Sequence, residues 1–346
     1  MDLIRLDDVD FAYGKIHVLR SLNLAIDERQ VTVLVGPSGS GKSTVLRLIA
    51  GFEAPLRGRV IVEGAVVAER GRVVRPPETR GVSVVFQDLA LWPHMTVRET
   101  LDFVLGTDVT RDERRCRIAE ATLMVGLDRQ LDARPAQLSG GERQRLAIVR
   151  AIITRPRILL MDEPLANLDP PLRLALLDEI RRLQERLGLT ILYVTHNQQE
   201  TFILGDRAAV IHEGCIEQAG PPRELYERPR TAFVASFLGR CAILPGVLHE
   251  GHVETALGAL PLTDATVADG SAISAVIRPE RVCVGEAGPF HGEVERVTCL
   301  GDRFETELAG PGWRLWAMVP QVPKLGSSLR FGITNTVIVR AWNTPG

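Results

Sequence analysis

The sequence predicts an α/β protein organised around a phosphate-binding loop, with a smaller β-rich domain behind it. Three observations carry this. The stretch Gly36-Pro37-Ser38-Gly39-Ser40-Gly41-Lys42-Ser43-Thr44 fits G-x-x-x-x-G-K-[ST]. It follows Val31-Thr32-Val33-Leu34-Val35, a β-branched run that reads as a buried strand. It precedes Val45, Leu46, Leu48 and Ile49 at helical spacing, with Gly51 as a stop. Beyond residue 240 the pattern changes to short strands and many turns, with no second loop of that kind.

The loop's chemistry follows from its backbone. Glycines let consecutive N–H groups converge on one point, and the helix that opens there adds its positive end. Lys42 would reach the β- and γ-phosphates, and the Ser43 hydroxyl would hold Mg²⁺. The bland alternative is a glycine-rich turn that binds nothing. The strand before it and the helix after it argue against that.

At 346 residues the chain has length for two domains and a sizeable core. Hydrophobic and charged fractions of 45% and 24% are those of an ordinary soluble protein. A net charge of −2 gives no reason to expect a nucleic-acid partner. Apolar runs such as Ile158 to Met161 are too short to span a bilayer. The start, Met1-Asp2-Leu3-Ile4-Arg5-Leu6, lacks the plan of a signal peptide. Cys116, Cys215, Cys241, Cys283 and Cys299 are scattered without a C-x-x-C, so reduced thiols in a cytosolic protein are expected, not a metal site.

Taken in order, residues 3–35 read as strands. Tyr13 ends the first, either as a half-buried strand aromatic or as a ring that stacks on a base. Val60-Ile61-Val62 and Ala65-Val66-Val67 flank Glu63-Gly64 as a hairpin, and Arg75-Pro76-Pro77-Glu78 breaks structure. Val82 to Phe86 is a buried-type strand ending at Gln87. In an open α/β sheet that edge is where ligands bind, so Gln87 is a candidate site residue. Leu89-Ala90-Leu91-Trp92-Pro93-His94-Met95 is either a packed connector or a partner-facing surface. A helical insert follows, with Thr110-x-x-Glu113 at capping-box spacing and Asp112 to Gly126 helical.

Leu138-Ser139-Gly140-Gly141-Glu142 leads into a helix from Arg143 to Ile153. Ser139 and Glu142 fit a plain helix start. The glycine pair fits better a helix end that a ligand approaches closely, since each glycine costs the helix up to about 1 kcal/mol. Arg157 to Met161 is another buried strand, ending in Asp162-Glu163. One carboxylate can hold Mg²⁺ and the other can polarise water. Asp169 is expected to cap a helix with Pro170 and Pro171 in its first turn, a stripe of Leu172, Leu176, Ile180, Leu183 and Leu187, and Gly188 as its end. Thr190 to Val194 is a third strand, ending in Thr195-His196 on the same sheet edge as Gln87 and Asp162. Hairpins follow from Arg207, and helices between Pro222 and Leu238 close the first domain. Val276-Ile277, Val294 to Val297, Trp313 to Val319 and Val337 to Val339 fit a small barrel or sandwich, with Trp313 and Trp316 in its core.

Together these motifs resemble the ATP-binding-cassette ATPases, in their importer subfamily, over the whole chain. The resemblance implies a P-loop NTPase cassette at 1–238: a mixed sheet core, an antiparallel β subdomain and a helical subdomain at about 88–150. It implies a small all-β barrel or OB-like regulatory domain at 239–346, similar to that of maltose-, polyamine- and ferric-iron-type importers. Ser38, Gly39, Ser40, Gly41, Lys42, Ser43 and Thr44 match the Walker A loop, and Tyr13 lies where the family places its adenine-stacking aromatic. Gln87 matches the Q-loop glutamine. Leu138 to Glu142 looks like the signature motif, with Glu142 where glutamine is usual. Asp162 and Glu163 match Walker B and its catalytic glutamate, Ala166 to Asp169 the D-loop, and His196 the switch histidine.

The family's mechanism pairs two cassettes head to tail. The resemblance implies that Ser139, Gly140, Gly141, Glu142 and Asp169 serve ATP across a homodimer. Glu163, His196 and Gln87 would act in hydrolysis, and Ser43, Gln87 and Asp162 at Mg²⁺. The implied partners are transmembrane permease subunits and, through them, an extracytoplasmic substrate-binding protein. The implied location is peripheral, on the cytoplasmic face of the membrane. Pro76 to Gly81 and Trp92 to Val97 look most like ferric-iron or polyamine importers. A soluble translation or repair cassette, an exporter ATPase and a non-hydrolysing regulator are the competing readings. The single glycine loop and signature, the C-terminal extension, and the presence of both Glu163 and His196 argue against each in turn.

Overall fold

The computed structural model describes residues 2–107, 109–262, 268–285 and 288–340. The chain divides into two compact units, Met1–Pro222 and Arg223–Gly346. The sequence expectation drew this line at 238/239. From Arg223 onward, the short helices Pro222–Glu227 and Ala232–Phe237 group with the second unit.

Among its described residues the first unit builds two sheets. The first is antiparallel, in the order β2-β1-β4-β5-β6. Its strands are β1 (Asp2–Tyr13), β2 (Ile16–Asp27), β4 (Arg57–Val62), β5 (Ala65–Glu69) and β6 (Arg72–Val73). The β4–β5 hairpin turns on Glu63 and Gly64, at φ 50° and 74°, which matches the right-handed twist of the strands it joins. The second sheet is mixed, in the order β11-β10-β3-β9-β8-β7. It comprises β3 (Val31–Val35), β7 (Val82–Val85), β8 (Ile158–Asp162), β9 (Thr190–Thr195), β10 (Arg207–His212) and β11 (Cys215–Gly220). All of these run parallel except β11, which returns antiparallel to β10.

Helix α1 (Lys42–Ala50) lies against β8 and β9. Val45, Leu48 and Ile49 are fully buried in one core with Ile4, Leu6, Leu34, Leu160 and Val194. Each such side chain contributes about 1.5–3 kcal/mol. The end of α1 is held by a residue the sequence did not flag. Arg80, 3% exposed, donates to the carbonyls of Leu48 at 2.9 Å and Ile49 at 2.8 Å, and also to Val67 and Arg75. Burial pulls its pKa down to about 10, and the four carbonyls keep the cation hydrogen-bonded.

The helical insert holds α2 (Val97–Leu105), α3 (Arg111–Met124) and α4 (Gly140–Ile152). Helix α2 was not resolved by the sequence reading, although Thr96 and Glu99 form both halves of a capping box. Helix α4 begins three residues earlier than expected, with both glycines inside it. Arg150 of α4 reaches back to the connector after β7. It donates to the carbonyls of Ala90 and, at 2.9 Å, Leu89, and its guanidinium lies over the Trp92 ring at 5.5 Å. Leu89 and Ala90 sit at φ 60° and 43°, a region that non-glycine residues rarely occupy. Helices α5 (Pro170–Leu187) and α6 (Gln198–Leu204) complete the unit. On α5, Leu176, Ile180 and Leu183 are buried as expected, whereas Leu187 is exposed.

The second unit is mainly β, as expected. Its strands are β12 (Ala242–His249), β13 (His252–Thr255), β14 (Gly258–Pro261), β15 (Ala272–Ile277), β16 (Val282–Val284), β17 (Phe290–Cys299), β18 (Phe304–Gly310), β19 (Trp313–Val319), β20 (Ser328–Ile333) and β21 (Val337–Arg340). They form two antiparallel sheets, β14-β13-β12-β15-β21 and β16-β20-β17-β18-β19, sharing one core around Leu244, Leu260, Leu308, Trp313, Leu315 and Phe331. Trp313 is buried and Trp316 packs on the same core. No helix among the described residues is long and apolar enough to cross a membrane.

Candidate nucleotide site

Parallel pairing puts the candidate residues on one edge. Val35 lies opposite Thr195, Val194 opposite Asp162, and Met161 opposite Val85. The chain therefore leaves β3 into the glycine loop, β8 into Glu163, β9 into His196 and β7 toward Gln87, all at the carboxyl ends of adjacent strands.

The loop is shaped by close approach. A Cβ on Gly36 would lie 2.2 Å from the Ile211 carbonyl oxygen, so only glycine fits there. Gly41 caps α1 at φ 104°, a conformation open to glycine and strained for other residues. Lys42 is buried, and its Nζ donates to the carbonyls of Gly36 at 2.9 Å and Pro37 at 2.8 Å. Glu163 Oε1 lies 4.0 Å from the same nitrogen. Burial lowers the Lys42 pKa, and the charges of Glu163 and Asp162 oppose the shift. Ser40 and Thr44 are buried, while Ser38 and Gly39 are exposed at the tip.

Ser43 Oγ donates to Asp162 Oδ1 at 3.0 Å. Burial raises the Asp162 pKa, and this hydrogen bond opposes the rise. Glu163 Oε2 lies 2.9 Å from His196 Nδ1, and Glu163 itself sits at φ 43°. Lys42, Ser43, Asp162, Glu163 and His196 thus form one contiguous cluster. Gln87 is exposed at the end of β7 on the same edge. Tyr13 is 41% exposed, its ring edge against Phe11, its hydroxyl donating to Glu53 and accepting from Arg47 of α1, each at 3.3 Å. Sequence reasoning missed Glu53 and Arg47.

Ser139, Gly140, Gly141, Glu142 and Asp169 form a second group, at the starts of α4 and α5. The capping box at Ser139 is complete: Glu142 Oε2 accepts from the Ser139 N–H and hydroxyl, both at 2.8 Å. The backbone hydrogen bond lowers the Glu142 pKa most, followed by the hydroxyl. Asp169 occupies the cap position of α5, but its side chain makes no cap hydrogen bond, contrary to expectation. Pro170 and Pro171 remove the first two N–H groups, but the N–H of Leu172 at the third helical position remains, and the Asp169 carboxylate does not take it.

Fold and cluster together define a P-loop nucleotide-binding ATPase: a strand, a glycine loop with a buried lysine, and a carboxylate pair on the neighbouring strand. A model of the ABC transporter family matches residues 19–166. The sn-glycerol-3-phosphate import ATP-binding protein UgpC of Ruegeria pomeroyi is 43% identical, over 87% of this chain and 85% of its own length. The spermidine/putrescine import ATP-binding protein PotA of Rubrobacter xylanophilus is 41% identical, over 91% of this chain and 85% of its own. Among solved structures, a dimeric post-hydrolysis state of the ATP-binding cassette MJ0796 bound to ADP and Pi aligns with a TM-score of 0.56 at 30% identity. It covers 64% of this chain and 99% of that one. The chain belongs to the ABC transporter family, among its importer-type ATPases.

Proposed function

We propose that this chain hydrolyses ATP, as one of two copies in a head-to-tail dimer, to power a binding-protein-dependent importer at the cytoplasmic face of a membrane. The observation that carries the reading is the Glu163–His196 contact at 2.9 Å beside Lys42. Glu163 orients the attacking water and accepts its proton. His196 holds the γ-phosphate, and Lys42 neutralises charge on the β- and γ-phosphates. Tyr13 stacks on the adenine, and Ser38 to Thr44 cradle the phosphates. Gln87 attends the metal and the γ-phosphate from the connector that faces the permease. Ser139, Gly140, Gly141, Glu142 and Asp169 meet the partner's nucleotide. The uncapped Asp169 carboxylate supports that role.

Asp162 and Ser43 suit Mg²⁺. They offer two hard oxygens 3.0 Å apart, and Mg²⁺ binds through one or two protein oxygens plus phosphates and water. Among the described residues no larger group of His, Cys, Asp or Glu could hold a metal. Held there by Asp162 and Ser43, Mg²⁺ would supply charge neutralisation at the phosphates.

The transported solute is selected by the partner subunits. Two relatives named for sn-glycerol-3-phosphate and for spermidine/putrescine match at 43% and 41%, so overall identity does not choose between them. The Pro76 to Gly81 and Trp92 to Val97 segments favour ferric iron or a polyamine. The test is co-purification of the tagged chain from native membranes in mild detergent. Two copies with multispanning subunits are the expected result, and the attached binding protein is then screened against ferric iron, polyamines, sugars and glycerol phosphate. Recovery only with ribosomal or repair proteins would overturn the importer reading.

A further inference from the structure

We propose that Arg173 is a positioning residue that ties the signature motif and D-loop of one protomer to the loop carrying its own His196. The proposal rests on the dimeric ATPase reading above and deepens it, because the signature motif serves the partner's nucleotide.

Arg173 lies one turn into α5. Its Nη2 donates to the carbonyl of Leu168 in the D-loop at 2.7 Å, and its Nε stands 3.7 Å from Glu200 Oε1. That second contact is an ion pair and not a hydrogen bond. Glu200, only 3% exposed, spends its other oxygen on the His196 loop: Oε2 accepts from Tyr193 at 2.9 Å and from Thr195 at 2.6 Å. Thr195 Oγ1 in turn accepts the N–H of Asn197 at 2.9 Å. The chain is therefore fixed on both sides of His196.

The other end of the link rests on the signature glycines. A Cβ at Gly140 would lie 3.7 Å from a Leu168 methyl, and one at Gly141 3.1 Å from both Leu172 methyls. Leu168 belongs to the D-loop, and Leu172 directly precedes Arg173. The signature glycines thus face the leucines beside Arg173, and a path runs from Leu168 through Arg173 and Glu200 to Thr195, next to His196. Arg173 and Glu200 also share a cavity with Glu163 and His196 of about 20 Å³, too small for a substrate. They act from behind the reacting atoms.

A plain alternative is that Arg173 only balances a buried carboxylate. The two roles separate by measurement on the full-length protein. ATPase kcat, KM for ATP, Hill coefficient and melting temperature are read for Arg173→Met, Arg173→Lys, Glu200→Gln and Arg173→Met/Glu200→Gln, with Glu163→Gln as the no-turnover control. Arg173→Met should lower kcat about tenfold or more with KM within about twofold, and bring the Hill coefficient toward one. The double variant should be no worse than Arg173→Met alone, as expected of residues in one network. Lysine can reach one partner but not both, so Arg173→Lys should restore melting temperature and not the Hill coefficient. Wild-type kcat and Hill coefficient in a folded Arg173→Met, or additive losses in the double variant, would overturn the proposal. Should Arg173→Met not fold, Glu200→Gln, which removes the charge and turns one of the two acceptor oxygens into a donor, decides by the same criteria. Wild-type turnover no faster than Glu163→Gln would instead bring down the ATPase reading, and this inference with it.

Discussion

His196 Nδ1 and Glu163 Oε2 meet at 2.9 Å across the ends of two paired parallel strands. The Glu163 N–H donates to the carbonyl of Val194 at 3.0 Å, which fixes the carboxylate's origin at a backbone φ of 43°. A non-glycine residue held there costs about 1–3 kcal/mol, the kind of strain that accumulates where a side chain must point one way. Glu163→Gln keeps size and shape and removes the carboxylate proposed as the base. Phosphate release from ATP should fall at least about 100-fold, while nucleotide binding persists. An unchanged rate would remove Glu163 from the reaction.

Lys42→Met should act on binding. The ammonium is buried and already hydrogen-bonded to two carbonyls, so its charge is poised and not swinging in solvent. Charged hydrogen bonds are worth about 1.5–3 kcal/mol, so nucleotide affinity should drop about 10- to 100-fold in a fluorescent-nucleotide titration.

Asp162 gives a pH signature. Burial raises its pKa in the fold above the unfolded value, so the folded state favours the protonated carboxyl. That contribution is present at low pH and is lost as pH rises through the folded pKa. Asp162→Asn, without nucleotide or metal, should therefore melt above wild type at pH 7, by on the order of 2 °C, with the gap closing toward pH 4. Differential scanning fluorimetry across that range checks it. A gap that widens on acidification would reverse the sign.

Arg80→Met would leave the buried carbonyls of Leu48 and Ile49 without their donor, whereas that of Val67 keeps the N–H groups of Val74 and Arg75. Stranded buried acceptors cost about 1–3 kcal/mol each and relax together, so a total loss of about 3–5 kcal/mol is expected in chemical denaturation. ATP should stabilise the variant as it does wild type, because Arg80 grips the far end of α1 and not its phosphate end.

The cassette was legible where chemistry is local. Val31–Val35 and Ile158–Asp162 are buried on both faces, so they read as unbroken apolar runs, and each ends in its own motif. Helix α2 is masked in the sequence because its capping pair, Thr96 and Glu99, sits directly behind an aromatic stretch. In the second unit, β12, β13, β18 and β20 mix polar or turn-forming residues among the buried ones, so no apolar run marks them in the sequence. Arg80, Arg150, Arg173 and Glu200 were invisible for a different reason. Their partners include backbone carbonyls or residues brought near by folding, and no spacing rule encodes those. Asp169 takes the cap position that its prolines announce, but its carboxylate makes no cap hydrogen bond, and no local spacing rule encodes that.

Leu89 and Ala90 are bent against their own preference, at about 1–3 kcal/mol each, and one guanidinium from the signature helix pins them. Such a segment is a sprung catch. The work of cocking it was done when the chain folded. Trp92 lies under the same guanidinium, so a single side chain of one helix holds both the bent backbone and the ring beside it.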